Sequence, residues 1–454
     1  MAQTPPILFV ILDGVRKDRL SLYGHDRKTS INLDTIAEDA VVFENSYTPG
    51  PWSLPAHTSM LTGLHPSEHG MTNVFPGDST VVPDSYETIA ESLAERGYRT
   101  GGFSHNPWLG RTSDLHRRFD AFVEWDLEIS SSPRDWKPTR KEETYSTLHT
   151  LLGKASRQPL SLLKDGFFTS RFLSSAERWI VRQEDTPTYT FINLMGAHTP
   201  YYPSKEAFRH LGLSPPSPFE SRKLNMSILN DQIRGDGMGS TRTERIRELY
   251  DASIRDQDEK LGSFVDTLQE SGLYDEMLII IAADHGKTLG EFSRNETPTH
   301  YIRDVNVNVP LVVKLPGQSE QRRIKEPFEL VQLMDFLREG EYTEECLESK
   351  TTQYALVEDY TPHTADEQKD VTQYRAVTDG SQKYIVDGAG NEFFMEGTGA
   401  SESLVEPSEN AAELKDALTA RVDELDEKRD ETGGQDSEMG EEVESQLKQL
   451  GYLN

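Results

Sequence analysis

The sequence predicts an α/β fold: a mostly parallel sheet with helices on both faces, followed by a small antiparallel subdomain. Three observations carry this. Runs such as Ile7–Leu12 and Met277–Ala282 are apolar throughout, so both faces of those strands must be covered. They alternate with stretches of helical periodicity, the pattern of strand–helix–strand units. From about Gln353 the long apolar runs give way to short ones, as in a small antiparallel sheet.

Ile7–Leu12 is the first strand and stops at Asp13. Leu33–Val42 reads as a helix with Asn32 as its cap. Tyr86–Glu95 reads as a second helix, closed by Arg96-Gly97, with Tyr98–Ser104 extended after it. Thr188–Leu194 is β-branched and aromatic, a strand. In Glu244–Gln269 the apolar residues Ile246, Tyr250, Ile254, Leu261, Phe264 and Leu268 share one helical face. Met277–Ala282 and Val309–Leu315 are further strands. Residues 128–183 and 203–243 are irregular and polar, insertions suited to shaping a substrate mouth. Near the end, Tyr354–Glu358, Tyr374–Thr378 and Gln382–Val386 read as short strands. Glu409–Glu427 follows as an acidic helix, and another starts at Gln435 after the Thr432-Gly433-Gly434 break. The expected division is a catalytic α/β domain over 1–345, an α+β subdomain over 346–400 and an acidic helical tail over 401–454.

Composition bounds the function. Among 454 residues, 77 are acidic and 47 basic, a formal charge of −30. That balance excludes a nucleic-acid binder, which needs a basic footprint, and disfavours anionic membrane surfaces. Dense carboxylates suit a salty, halophile-type cytoplasm, where repulsion is screened. The single cysteine, Cys346, forbids an internal disulfide or a multi-cysteine zinc site, and lies among glutamates that disfavour a thiolate. No run approaches the roughly 20 apolar residues of a membrane-spanning helix. No basic residue precedes the Ile7–Leu12 run, so it reads as a strand and not a signal peptide, and the expected location is cytoplasmic.

Three segments carry chemistry. Asp13, in Ile-Leu-Asp-Gly-Val-Arg, and Asp284-His285-Gly286 each follow a buried strand, where open α/β sheets bind their ligands. Two carboxylates and an imidazole can hold a divalent cation, although each aspartate alone also suits a turn. Pro51-Trp52-Ser53-Leu54-Pro55 leads into a helical run, placing Ser53 at a helix N-terminus, where N–H groups favour an oxyanion. As a plain cap, Ser53 would need no such role.

Together these segments closely resemble the sulfatase family of the alkaline phosphatase superfamily. Its hallmark is Cys or Ser, any residue, Pro, any residue, Arg, then three residues and Leu-Thr-Gly. Ser53, Pro55, Leu61, Thr62 and Gly63 match in register, while His57 stands where arginine is expected. The resemblance extends through Asn32-Leu33-Asp34, Gly97-Tyr98-Arg99-Thr100, His198-Thr199-Pro200-Tyr201, Asp284-His285-Gly286 and Val309-Pro310-Leu311 to Leu450-Gly451-Tyr452. It implies an alkaline phosphatase-like fold and a sulfuric ester hydrolase acting on small-molecule or saccharide sulfate monoesters.

By the same resemblance, Asp13, Asp284 and His285 would bind one divalent ion, calcium by family precedent, with magnesium or manganese as alternatives. Gly14 replaces the second aspartate of the family's first pair, removing one hard oxygen. Ser53 occupies the position of the formylglycine nucleophile, and His57 that of the arginine which helps hold it. His198 would protonate the leaving alcohol. His300 falls at a family lysine or histidine contacting the ester oxygens; Lys287, His105 and Asn106 are further substrate-binding candidates. Arg16 and Asp18 are companions of Asp13, read as an ion pair. Left unmodified, Ser53 could attack directly, as in the phosphatases, phosphodiesterases and phosphonate hydrolases of the superfamily. Gly14 and His57 also leave open a degenerate, non-catalytic anion binder.

Overall fold

The computed structural model describes residues 4–71, 81–104, 106–110, 112–124, 129–131, 165–183, 186–234, 239–291, 295–296, 302–362, 371–407 and 410–432. In chain order the first strands are β1 (Ile7–Leu12), β2 (Val41–Tyr47), β3 (Arg99–Ser104), β4 (Ala121–Val123), β5 (Ile129–Ser131), β6 (Thr188–Leu194) and β7 (Leu278–Ala282). There follow β8 (Thr288–Leu289), β9 (Asn295–Glu296), β10 (Asn308–Lys314), β11 (Arg322–Ile324) and β12 (Phe328–Glu329). The last five are β13 (Ala355–Pro362), β14 (Val371–Thr378), β15 (Gln382–Asp387), β16 (Glu392–Glu396) and β17 (Ser403–Val405).

The larger sheet runs β11-β2-β10-β7-β1-β6-β3-β4-β5, with β12 also on β2. It is mixed and mostly parallel: β7, β1, β6, β3 and β4 pair in one direction, while β10 is antiparallel to both its neighbours. Every residue of β1, β6 and β7 is buried, as fully apolar central strands require. Register aligns their carboxyl ends: Leu12 stands opposite Leu194, Ile11 opposite both Asn193 and Ala282, and Ser104 opposite Asn193. Residues just beyond these strands therefore meet along one edge of the sheet.

The helix Ser240–Glu270 buries Ile246, Tyr250, Ile254, Leu261, Phe264 and Leu268, the face read from their spacing. The smaller sheet, β13-β14-β15-β16-β17, is antiparallel throughout. Its alternating residues go to two faces. Leu356, Val377 and Tyr384 pack with Leu414, Leu418 and Leu425 of the helix Ala411–Thr432, whereas Ala355, Val357, Ala376 and Ile385 pack with Tyr47, Ile302 and Val307 of the main body.

Several elements differ from expectation. The helix placed over Leu33–Val42 is short, Ile31–Ile36, and after a 3₁₀ turn the chain becomes β2 from Val41. Asn32 is not its cap but lies within the first turn, where Asp258 accepts the N–H groups of Asn32 and Leu33. The second helix starts only at Ile89, because Thr88 and Glu91 form a reciprocal capping box there. The insertions are more regular than their composition suggests: they hold helices Asp165–Val181, Lys205–His210 and Pro218–Arg234. The helix expected from Gln435 and the Leu450-Gly451-Tyr452 motif lie outside the described residues.

Candidate active site

The carboxyl edge of β1, β6 and β7 gathers most of the sequence candidates. Asp13 and Asp284 are fully buried, His285 is 3% exposed and Ser53 keeps 9%. One donor atom from each of Asp13, Asp284 and His285 lies within 4.8 Å of the others. Each carboxylate has one oxygen tied down. Asp284 Oδ1 accepts the N–H groups of Gly14 and His285, both at 2.9 Å. Asp13 Oδ2 accepts the side-chain amides of Asn106 at 2.7 Å and Asn193 at 3.2 Å.

The other oxygens, Asp13 Oδ1 and Asp284 Oδ2, are buried without a hydrogen-bond partner among the described residues. A buried carboxylate oxygen left bare is costly, so the pair fits a site meant for a cation. The imidazole agrees. His285 Nδ1 donates to Gly286 O at 2.8 Å, which leaves the Nε2 lone pair facing Ser53 Oγ at 3.2 Å. Gly286 is required by space: a Cβ there would collide with Val305 O.

Ser53 is the first residue of the helix Ser53–Thr62, entered from an extended Trp52, so it stands at the positive end of the helix dipole, although Pro55 has no N–H and that of Ala56 is taken by Trp52 O. His57, one turn on, is fully buried and donates Nδ1–H back to Ser53 O at 2.8 Å. That nitrogen is 3.6 Å from Asp284 Oδ2, and His57 meets Phe191 edge-on. His57 thus braces the serine's backbone beside the Asp284 carboxylate, and among the described residues its own ring makes no hydrogen bond to the Ser53 side chain.

His198 follows β6 and donates Nδ1–H to Thr199 O at 2.7 Å. Burial, and then the Lys287 ammonium, hold its imidazole below the ordinary histidine value. Lys287 is 1% exposed and pairs with Glu296 Oε2 at 3.1 Å. Asn106, expected to bind substrate, is committed to Asp13. Arg16 and Asp18 do form an ion pair, at 2.6 Å. His105 and His300 lie outside the described residues.

Sequence reading missed Asn193, Glu296 and Tyr250. Tyr250 OH donates to Gly14 O at 2.7 Å and accepts Arg16 N–H at 2.8 Å, fixing the loop after β1. Asn193 did carry a signal, an amide one residue before the end of a β-branched and aromatic strand. Glu296 carried none.

A sulfatase family model matches residues 5–338. The chain belongs to the sulfatase family. It is 23% identical to an ulvan-active sulfatase of Formosa agariphila, over 70% of this chain and 58% of that one. It is 24% identical to human N-acetylgalactosamine-6-sulfatase over 63% and 51% of the two chains. To the arylsulfatase of Clostridium perfringens it is 23% identical over 73% of each. The chain therefore spans little more than half the length of the first two relatives. Among solved structures it superposes on a phosphonate monoester hydrolase of Agrobacterium radiobacter with TM-score 0.67 and 17% identity, over 94% and 96% of the chains. A protein solved with its substrate D-glucosamine-2-N,6-O-disulfate gives 0.66 and 14%, over 95% and 99%. These likenesses establish the fold, the alkaline phosphatase-like mixed sheet with its smaller antiparallel companion. Among the described residues, no helix is long and apolar enough to cross a membrane.

Proposed function

We propose that this sulfatase-family chain hydrolyses sulfate monoesters, small or saccharide, with a divalent cation held by Asp13, Asp284 and His285. The observation that carries the reading is the approach of Ser53 Oγ to His285 Nε2 at 3.2 Å, beside two bare, buried carboxylate oxygens. A bound dication would acidify the serine-derived hydroxyl and neutralise the ester's charge. The protein's own groups do the rest. Ser53, at its helix N-terminus, aims an oxygen at the sulfur in line with the ester oxygen. An S–O bond to Ser53 forms, and the bond to the alcohol breaks. The hydroxyl of residue 53 gives up its proton to solvent as it attacks, and His198, protonated from solvent, gives its own proton to the departing alcohol. A water then releases sulfate, regenerating residue 53. Lys287 and the helix N–H groups offset charge on the equatorial oxygens. A salty cytoplasm suits the acidic surface. Calcium is the ion family resemblance implies.

One observation favours a second reading. His57 holds only the backbone of Ser53, so an unmodified serine could attack a phospho- or phosphonate ester directly. Mass analysis of the peptide containing Trp52–His57, with aryl sulfate and aryl phosphate assays, tests both. A peptide lighter by two hydrogens with aryl sulfate turnover supports the sulfatase reading. An unmodified serine with aryl phosphate turnover supports the second, and silence on both esters sinks each.

A further inference from the structure

Gly14 stands directly after Asp13, with φ +66, in the left-handed region. A Cβ on it would lie 2.9 Å from Lys287 Cε, 3.1 Å from Lys287 Nζ and 3.8 Å from His285 Cε1. A side chain at position 14 would therefore point beside the His285 ring, into space that the lysine ammonium fills. Neither partner is free to withdraw. Gly14 is held at its N–H by Asp284 and at its carbonyl by Tyr250. Lys287 Nζ is held by Glu296 at 3.1 Å and lies over the rings of Tyr201 and Tyr250, 5.4 and 5.8 Å from their centroids. Glu296 also accepts from Tyr201 OH at 2.9 Å and sits at φ +64, a conformation that a residue with a Cβ adopts only when its surroundings impose it.

The consequence is a poor oxygen count. The residues brought together supply two carboxylates and one imidazole, and position 14 can add nothing while Lys287 is there. Calcium takes roughly six to eight oxygen ligands, whereas a nitrogen donor suits first-row transition ions, among which manganese binds most weakly. We infer that Gly14, Lys287 and Glu296 form a cation-selectivity device, which keeps a further carboxylate out and turns the site from calcium toward a first-row transition dication, for which manganese, the weakest binder of the series, is the stringent probe. The inference rests on the proposed reading of Asp13, Asp284 and His285 as metal ligands.

Charge and ligand number act separately. The ammonium beside the site lowers affinity for any dication, so its removal should strengthen both ions alike. Only a new oxygen donor should change their ratio. The test is calorimetric titration of the chelator-stripped full chain with manganese chloride and with calcium chloride. The wild type is expected to bind manganese at least about tenfold more tightly than calcium. Lys287→Ala should tighten both, leaving the ratio within about threefold of wild type. Gly14→Asp/Lys287→Ala should move the ratio toward calcium by about tenfold or more. Calcium binding as tight as manganese in the wild type overturns the inference, as does a double variant with the ratio of Lys287→Ala. If the double variant does not fold, the wild-type ratio still decides. Binding of neither ion overturns the functional reading itself, so the two failures are distinguishable.

Discussion

Ser53 Oγ lies 3.2 Å from His285 Nε2, although 232 residues separate them in sequence. The contact joins the start of a helix to the turn after β7, so the serine and the imidazole proposed to hold the metal are built by different elements. Their functions should separate on mutation. Ser53→Ala is expected to lose turnover by more than about a thousandfold while keeping dication affinity within about threefold, because the three ligand residues remain. His285→Ala should lose both. Calorimetry beside an ester assay checks this, and a Ser53→Ala variant that still turns over would remove the serine from the chemistry.

Asn193 and Asn106 converge on Asp13 Oδ2, leaving Oδ1 as the bare oxygen. Partners that fix a ligand's orientation typically contribute about 10–100-fold in metal affinity. Asn193→Leu, close in size but unable to donate, should weaken dication binding by that order with little change in thermal stability of the stripped protein. Unchanged affinity would show that Asp13 orients itself.

The fold was legible because its central strands are apolar on both faces, and β6 was read to the residue. β2 was not, since Val41 and Val42 continue a helical spacing and only sheet pairing with β10 and β11 makes them a strand. The site was legible where chemistry repeats a local pattern: Asp13, Ser53 and Asp284-His285 each stand at an element's end. Tyr250 was hidden as one more apolar position on a helix face, yet its hydroxyl reaches Gly14. The closeness of Lys287 to Gly14 depends on packing between distant turns, which no spacing encodes.

A buried ion network ties the helix Ala411–Thr432 to the main body and sets a pH window. Glu329 is 1% exposed and accepts from Leu356 N at 2.7 Å and Arg421 Nη2 at 3.0 Å, with His65 Nε2 3.4 Å away. Burial would raise the Glu329 carboxyl, but His65 and Arg421 outweigh it and hold it at about 2, against an ordinary 4.5. Its folded value is depressed, so its stabilisation is complete above 4.5 and is lost as pH falls toward 2. That drop corresponds to about 3 kcal/mol. For His65, burial opposes but Glu329 prevails, raising the imidazole above 6.5; its share is complete below 6.5 and fades as pH rises through the folded value. Glu329→Gln should therefore lower Tm most between 4.5 and 6.5, and the gap from wild type should narrow toward about pH 3. Thermal melts at both ends check it; a constant gap would mean the network carries no such linkage.

The net charge of −30 sets a problem for the proposed hydrolysis of anionic esters at a cation-holding site. At low salt the body repels its substrate over tens of ångströms, whereas the field that binds it comes from short-range contacts with the bound cation, Lys287 and the helix N–H groups. Screening at molar salt cuts the Debye length to about 3 Å, which removes the repulsion and leaves direct contacts largely intact. Catalytic efficiency on an anionic ester should therefore rise from low to molar salt, mainly through a lower KM, because encounter and not chemistry is relieved. A neutral competitive inhibitor should show no such gain. Steady-state kinetics across a potassium chloride series decides it, and a flat or falling kcat/KM would sever the acidic surface from the working conditions of the site.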